Sequence, residues 1–281
     1  MTHVAVVTDG AACMPPEVVG KYEIHVVPFQ LNWEGESLRD GVDITPTEFY
    51  RRLRVAKRLP TTSQPAVGEF VKLFSRLSQE AEAIASIHIA QEFTGTYKAA
   101  LLAAQEGAKV PIEVMDSRTA AMAQGFVVLE AARAVAQGAD LTEVVRRVKA
   151  LIPRVHLLAC LDTLEYLRRS GRVRNLVALL GSALSIKAVF HLYDGQVRLF
   201  KQVRSRERAM EAMMGALPKR AQKKGLHVAV LHADAPAEAK DMEEAIASRF
   251  DCREVYIAEF TPVMGVHTGP GVLGLAFYVE G

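Results

Sequence analysis

Cysteine is scarce in this chain of 281 residues, and the three present, Cys13, Cys160 and Cys252, lie far apart without a C-x-x-C pair. That argues against a disulfide framework or a zinc knuckle and fits a reducing compartment, so a cytoplasmic location is expected. Charge of one sign is lacking too. With 34 basic and 32 acidic residues the net charge is +2, so the molecule as a whole has no field that would gather nucleic acid or acidic lipid. Long apolar runs are also missing. The most apolar stretch, residues 177–192, is interrupted by Lys187 and His191 and carries Gly181, Ser182 and Ser185, which reads as a buried helix and strand and not as a membrane span. Met1-Thr2-His3 runs directly into an apolar strand with no basic region or cleavage site, so no signal peptide is expected.

Several catalytic signatures are absent. There is no H-E-x-x-H, no serine in G-x-S-x-G and no P-loop, so metalloprotease, α/β-hydrolase and nucleotide-binding readings lose their usual support. Gly269-x-Gly271-x-x-Gly274 has dinucleotide spacing, but a strand follows where a helix is required, and no acidic ribose partner can come after it. Basic runs at residues 51–58, 168–174 and 204–208 lack interleaved aromatics. They read as solvated helix faces or a patch for an acidic protein surface, and no nucleic-acid partner is expected.

What is present is the composition of an α/β protein, with 50% apolar and 23% charged residues. The first half alternates β-branched runs (4–8, 26–31, 83–89, 112–115) with helical patterns (46–58, 67–79, 97–106, 120–136, 141–152), which predicts a parallel sheet flanked by helices. The second half predicts strands at 155–160, 188–193 and 196–203, the last two joined by the hairpin dipeptide Asp194-Gly195. Helices at 206–217 and 235–250 and strands at 226–231, 254–260 and 275–279 follow, giving a mixed sheet with helices. The pattern changes at Ile152-Pro153, so two domains are expected, 1–153 and 154–281. The expected fold class is therefore two-domain α/β.

Carboxyl ends of parallel strands collect function. Asp9, the segment Gln91 to Thr96, and Asp116-Ser117 all fall at such ends. A further segment, Pro60-Thr61-Thr62-Ser63-Gln64-Pro65, is rich in hydroxyls and opens a helix. Hydroxyls beside free helix N–H groups suit an anion, although Thr62 or Ser63 has an equally simple reading as a helix cap, and so does Thr94. Near the end, His267 sits in what reads as a flexible glycine-rich loop, Met264 to Gly274. It is either a plain loop histidine or a donor reaching across an interdomain cleft to an anion. An enzyme acting on a small carboxylated or phosphorylated metabolite, with His267 as acid or base beside Asp9 or Asp116, is the alternative reading.

These residues together resemble the DegV family of fatty-acid-binding proteins along nearly the whole chain. The resemblance rests on Val6-Val7-Thr8-Asp9-Gly10, Pro28, Asp40-Gly41-Val42-Asp43-Ile44, Thr62-Ser63-Gln64-Pro65 and Thr94-Gly95-Thr96-Tyr97. It continues in Asp116-Ser117, Asp162 to Leu167, Gly171-Arg172 and His267-Thr268-Gly269-Pro270-Gly271. The chain departs from the family pattern at Gly10, at Ala90-Gln91 in place of Ser-Ser, and at Thr94 in place of serine. The resemblance implies two α/β domains with a long-chain fatty acid, such as palmitate, between them. It assigns the carboxylate to Thr62, Thr94 and His267, with Ser63, Gly95, Arg172 and Arg204 in support. It also implies a non-catalytic lipid-binding subunit, with no cofactor besides the bound lipid. The implied partner is a separate fatty acid kinase similar to dihydroxyacetone kinases.

Overall fold

The computed structural model describes residues 4–106, 109–171, 187–222 and 225–280. The expectations for Arg172 and for residues 177–186 lie outside these. The first sheet is parallel, with strand order β2 (His25–Val27), β1 (Val4–Asp9), β6 (Ala83–His88), β7 (Ile112–Asp116). Every residue of β1 and β6 is buried, as expected of a parallel sheet covered on both faces. Alternation sorts the side chains: Ala5 and Val7 pack with Phe70 and Phe74 of α3 (Val67–Leu77) and with Ala99 and Ala103 of α4 (Thr96–Gln105). Val4 and Val6 face the other way, toward α5 (Ala121–Ala136). Helix α1 (Pro16–Lys21) links β1 to β2, and α6 (Leu141–Leu151) packs on α5. The side chain of Asp140 caps α6 by accepting the Glu143 N–H at 2.9 Å, as its position predicts.

The segment expected as one strand over 26–31 is two. Pro28 supplies no N–H to a ladder, and the chain turns there from β2 into β3 (Gln30–Trp33) of a separate antiparallel sheet. That sheet has order β4 (Glu36–Arg39), β3, β5 (Thr61–Ser63), with α2 (Pro46–Leu53) between β4 and β5.

The second half forms a mixed six-stranded sheet. Its order is β10 (Gln196–Val203), β9 (Lys187–Tyr193), β8 (His156–Cys160), β13 (Leu273–Val279), β11 (Leu226–His232), β12 (Cys252–Glu259). Only the β11–β12 pair is parallel. The β9–β10 hairpin turns through Asp194 and Gly195, both at positive φ (51° and 73°), as a primed two-residue turn demands. Helices α8 (Arg206–Met214) and α9 (Pro236–Ala247) cover one face through Leu158, Val189, Val228 and Leu275. The other face, with Leu157, Phe190 and Leu192, joins the core that surrounds α5. Helix α5 touches strands of both large sheets and has twelve buried residues out of sixteen, which accounts for its apolar character all round. Two short helices complete the chain, α7 (Glu165–Ser170) and α10 (Pro262–Thr268), and they pack against each other. Among the described residues no helix is long and apolar enough to cross a membrane.

Candidate lipid site

Between the parallel sheet and the inner face of the mixed sheet lies a cavity of about 460 Å³. Its walls are mostly apolar: Ile89, Phe93 and Ala120 come from the first half, and Leu157, Phe190 and Leu192 from the second. Polar side chains enter from neighbouring segments, namely Thr62, Ser63 and Gln64 on and after β5, Thr94 before α4, Ser170 at the end of α7, and His267 and Thr268 at the end of α10. This is the usual constitution of a ligand cavity, an oily lining with a few convergent polar groups.

Thr62 is held by the β3–β5 ladder, in register with Leu31. Its hydroxyl lies 2.9 Å from Nε2 of His267. The sequence pattern allowed Thr62 or Ser63 to be a cap for α3, but that helix starts from Ala66 without any side-chain cap. The cap reading is therefore overturned: residues 61–63 pair with β3 as an edge strand, and Ala66 stands at the helix start. Thr94 is not a cap either. Helix α4 begins after Gly95 with no side-chain cap, and the Thr94 hydroxyl meets that of Thr96 at 3.0 Å.

His267 does not sit in a flexible loop, as the glycine-rich sequence suggested. It occupies the last turn of α10, which opens with Pro262 and stops at Gly269. Proline at the first turn and glycine just past the end are the ordinary helix punctuation, and the apolar residues Val263 and Val266 are buried. Gly269 (φ 78°) leaves room that the Tyr166 ring fills, and Gly274 lies where a Cβ would be 3.3 Å from the Leu158 carbonyl oxygen.

Other expected site residues are placed differently. Gly95 does not line the cavity, but its missing side chain is what lets Gln64 lie against it. Gln64 itself lines the cavity and was not singled out by sequence reasoning, although it stands inside the same four-residue motif as Thr62. Arg204 lies with Phe200, Lys201 and Arg208 in a separate surface groove. Asp9 and Asp116 do not line the cavity, so the rim expected to carry Asp9, Thr94 and Asp116 together keeps only Thr94. Asp116 accepts the Arg118 N–H at 2.8 Å.

Asp9 is committed to an interior network. One carboxylate oxygen meets Nδ1 of His88 at 2.9 Å, and Nε2 of His88 meets the Ser86 hydroxyl at 2.7 Å. The order serine, histidine, aspartate matches a hydrolase triad, yet all three side chains are fully buried, so no soluble substrate reaches the hydroxyl. Gln124 and the N–H groups of Ala11 and Ile89 satisfy the remaining acceptor positions on Asp9. The network therefore ties the ends of β1 and β6 together and lies outside the cavity wall. Among the described residues no group of three or more histidine, cysteine or acidic side chains is arranged to hold a metal ion.

The geometry suits the binding of a carboxylic acid with an apolar tail. With the ring proton of His267 on Nε2, the imidazole and the Thr62 hydroxyl each have a donor that a carboxylate oxygen can accept. Comparison with known proteins agrees with this architecture. The family model for DegV, described as uncharacterised proteins, matches residues 3–280. This chain belongs to the DegV family. The DegV domain-containing protein BH3627 of Halalkalibacterium halodurans is 33% identical over 282 residues, covering 100% of both chains. Two solved DegV structures superpose closely. One, from Thermus thermophilus, is described by its fatty acid binding; it has a TM-score of 0.92 and 30% identity, with 99% of this chain and 100% of that one covered. The other, DegV of Bacillus subtilis, is described as a fatty acid binding protein; it has a TM-score of 0.93 and 29% identity, with 100% of both chains covered. The α/β fold with one parallel and one mixed sheet is thus the DegV fold.

Proposed function

We propose that this chain binds a long-chain fatty acid, such as palmitate, and presents its carboxylate to a separate kinase without catalysing a reaction itself. The observation that carries the reading is the pairing of the Thr62 hydroxyl with His267 on the wall of a mainly apolar cavity. Burying an acyl tail there stabilises the complex by roughly 0.8 kcal/mol per methylene. A carboxylate loses water on entry and needs donors to replace it, so the hydroxyls and the imidazole orient the head group while the tail supplies affinity. The fatty acid binding described for the Thermus and Bacillus proteins supports the ligand class.

The same reading treats residues 1–153 and 154–281 as two units that hold the lipid between them, in the cytoplasm. The kinase, similar to dihydroxyacetone kinases, is the partner the sequence resemblance implies. The groove that holds Arg204 and Arg208 offers it a basic docking patch.

Native mass spectrometry of protein purified from bacteria tests the ligand. A co-purified mass equal to a fatty acid is expected; a bare chain that also ignores a fluorescent fatty acid at micromolar concentration refutes the reading. Thr62→Ala and His267→Ala are expected to lower acyl-phosphate formation with the kinase more than they lower lipid binding. Equal losses in the two assays would remove the distinction between head-group orientation and tail affinity.

A further inference from the structure

We infer that Asp40 is a positioning residue for the head-group site: its buried carboxylate fixes the start of α10 and thereby the reach of His267 to Thr62. The inference rests on the lipid-binding reading and adds to it a residue that never touches the cavity.

Asp40 is 4% exposed and lies outside the cavity wall. Its Oδ1 accepts the N–H of Val263 at 3.2 Å, one of the first-turn donors of α10 that no helical carbonyl can satisfy. Thr261, the residue before that helix, donates its hydroxyl to the Gly10 carbonyl at 3.2 Å. The turn after β1, the turn after β4 and the start of α10 thus meet at one point. Gly10 is part of the fit: a Cβ there would lie 2.7 Å from Asp40 Oδ2. The turn that carries Asp40 is itself held firmly. The Arg39 guanidinium pairs with Asp43 through two contacts of 2.9 and 2.8 Å, the Asp43 side chain also accepts the Arg39 N–H at 2.8 Å, and the Asp40 N–H binds the Phe29 carbonyl at 2.9 Å.

Helix α10 has only seven residues, so by itself it is too short to define its own axis. Four residues after Val263, its last turn places His267 one helical turn further along. A small rotation or slide at the N-terminus therefore moves the contact with Thr62 by a comparable distance, and a 2.9 Å hydrogen bond does not survive a displacement of an ångström. Burying a carboxylate whose partners are so few is unfavourable, and core packing alone would be served better by an apolar residue. Holding the helix that carries the imidazole is the use that the geometry gives it.

The test compares Asp40→Ala, Asp40→Asn and the unaltered protein with a pyrene-labelled fatty acid and the matching pyrene-labelled alcohol. The unaltered protein is expected to prefer the acid by about tenfold or more, the worth of hydrogen bonds to a charged group. In Asp40→Ala that preference is expected to fall to within about threefold while alcohol binding is kept, because the tail is untouched. Asp40→Asn retains an acceptor for Val263 and is expected to restore the preference. In the ligand-free protein, the imidazole nitrogen resonances of His267 are expected to shift in Asp40→Ala and return in Asp40→Asn, with those of His227 unmoved. Should Asp40→Ala fail to fold, Asp40→Glu carries the comparison, since its longer stem displaces the carboxylate from Val263. An unchanged acid preference and unchanged His267 resonances in the variant that folds overturn the inference. If the unaltered protein binds neither probe, the lipid reading fails, and the His267 resonances still decide the role of Asp40.

Discussion

Replacing Asp40 by asparagine is expected to stabilise the protein above neutral pH, an unusual outcome for removing a buried, hydrogen-bonded carboxylate. Burial pushes the Asp40 carboxyl from 3.8 up to about 7, against the lowering effect of the Val263 N–H and the Thr261 hydroxyl; the charge of Asp9 adds to the rise. The neighbouring Cys13 thiol is itself pushed up to about 12 by burial and stays neutral. Because the folded value lies above the unfolded one, the native state binds more protons between the two, and stability falls as pH rises from about 4 through about 7. A rise from 3.8 to about 7 corresponds to about 4 kcal/mol, an upper limit for the cost of ionising the side chain in place. Between pH 5 and pH 8 about 3 kcal/mol of that cost develops. Asparagine cannot ionise, so urea denaturation of both proteins at the two pH values isolates this part, and any constant packing effect of the amide cancels in the double difference. A gain for Asp40→Asn that is about 3 kcal/mol larger at pH 8 than at pH 5 is expected. A difference below about 0.5 kcal/mol would mean that Asp40 ionises as an ordinary surface acid does, and the argument from burial would fail.

Other perturbations have equally definite outcomes. Leu192→Trp projects an indole into the cavity and is expected to abolish fatty acid binding while leaving the fold intact by circular dichroism; undiminished binding would place the tail elsewhere. Gly269→Ala forces a methyl group into a backbone conformation (φ 78°, ψ 174°) reserved for glycine and into the Tyr166 ring, so a loss of about 1–3 kcal/mol in urea denaturation is expected, and a neutral result contradicts the assigned turn. Glu254 is raised by burial, but hydrogen bonds from His227, Arg133 and Tyr256 prevail and hold it down to about 2. A depressed carboxylate adds stability above its unfolded value that disappears as pH falls toward 2, so Glu254→Gln is expected to cost up to about 3 kcal/mol at pH 7 and almost nothing near pH 2. A cost independent of pH in that denaturation series would refute the account in which those hydrogen bonds hold the carboxylate ionised.

Much of the site was legible because hydroxyl-rich and glycine-rich motifs are local. The segment from Thr62 to Gln64, the pair Thr94-Gly95 and His267 stand out from a chain whose other segments follow helix or strand periods. Their roles as caps or ligand groups were not legible, because a threonine before a helical pattern reads the same in either role. The three-residue strand β5 is too short to show alternation, and only its pairing with β3 removed the cap reading. Asp40 was noticed as part of a motif and not as a buried group, since an acidic residue beside glycine ordinarily marks an exposed turn.

Strand and helix periods in the sequence determined the α/β class, the parallel first half and the hairpin in the second, because alternation and helical spacing reflect burial along a single element. The tertiary structure alone decided that Thr62 and His267, more than two hundred positions apart in the chain, share a hydrogen bond. It also decided that Asp9 faces inward and that an open space remains between the sheets. Those facts depend on how faces from different elements meet, and no local pattern encodes the distance between them.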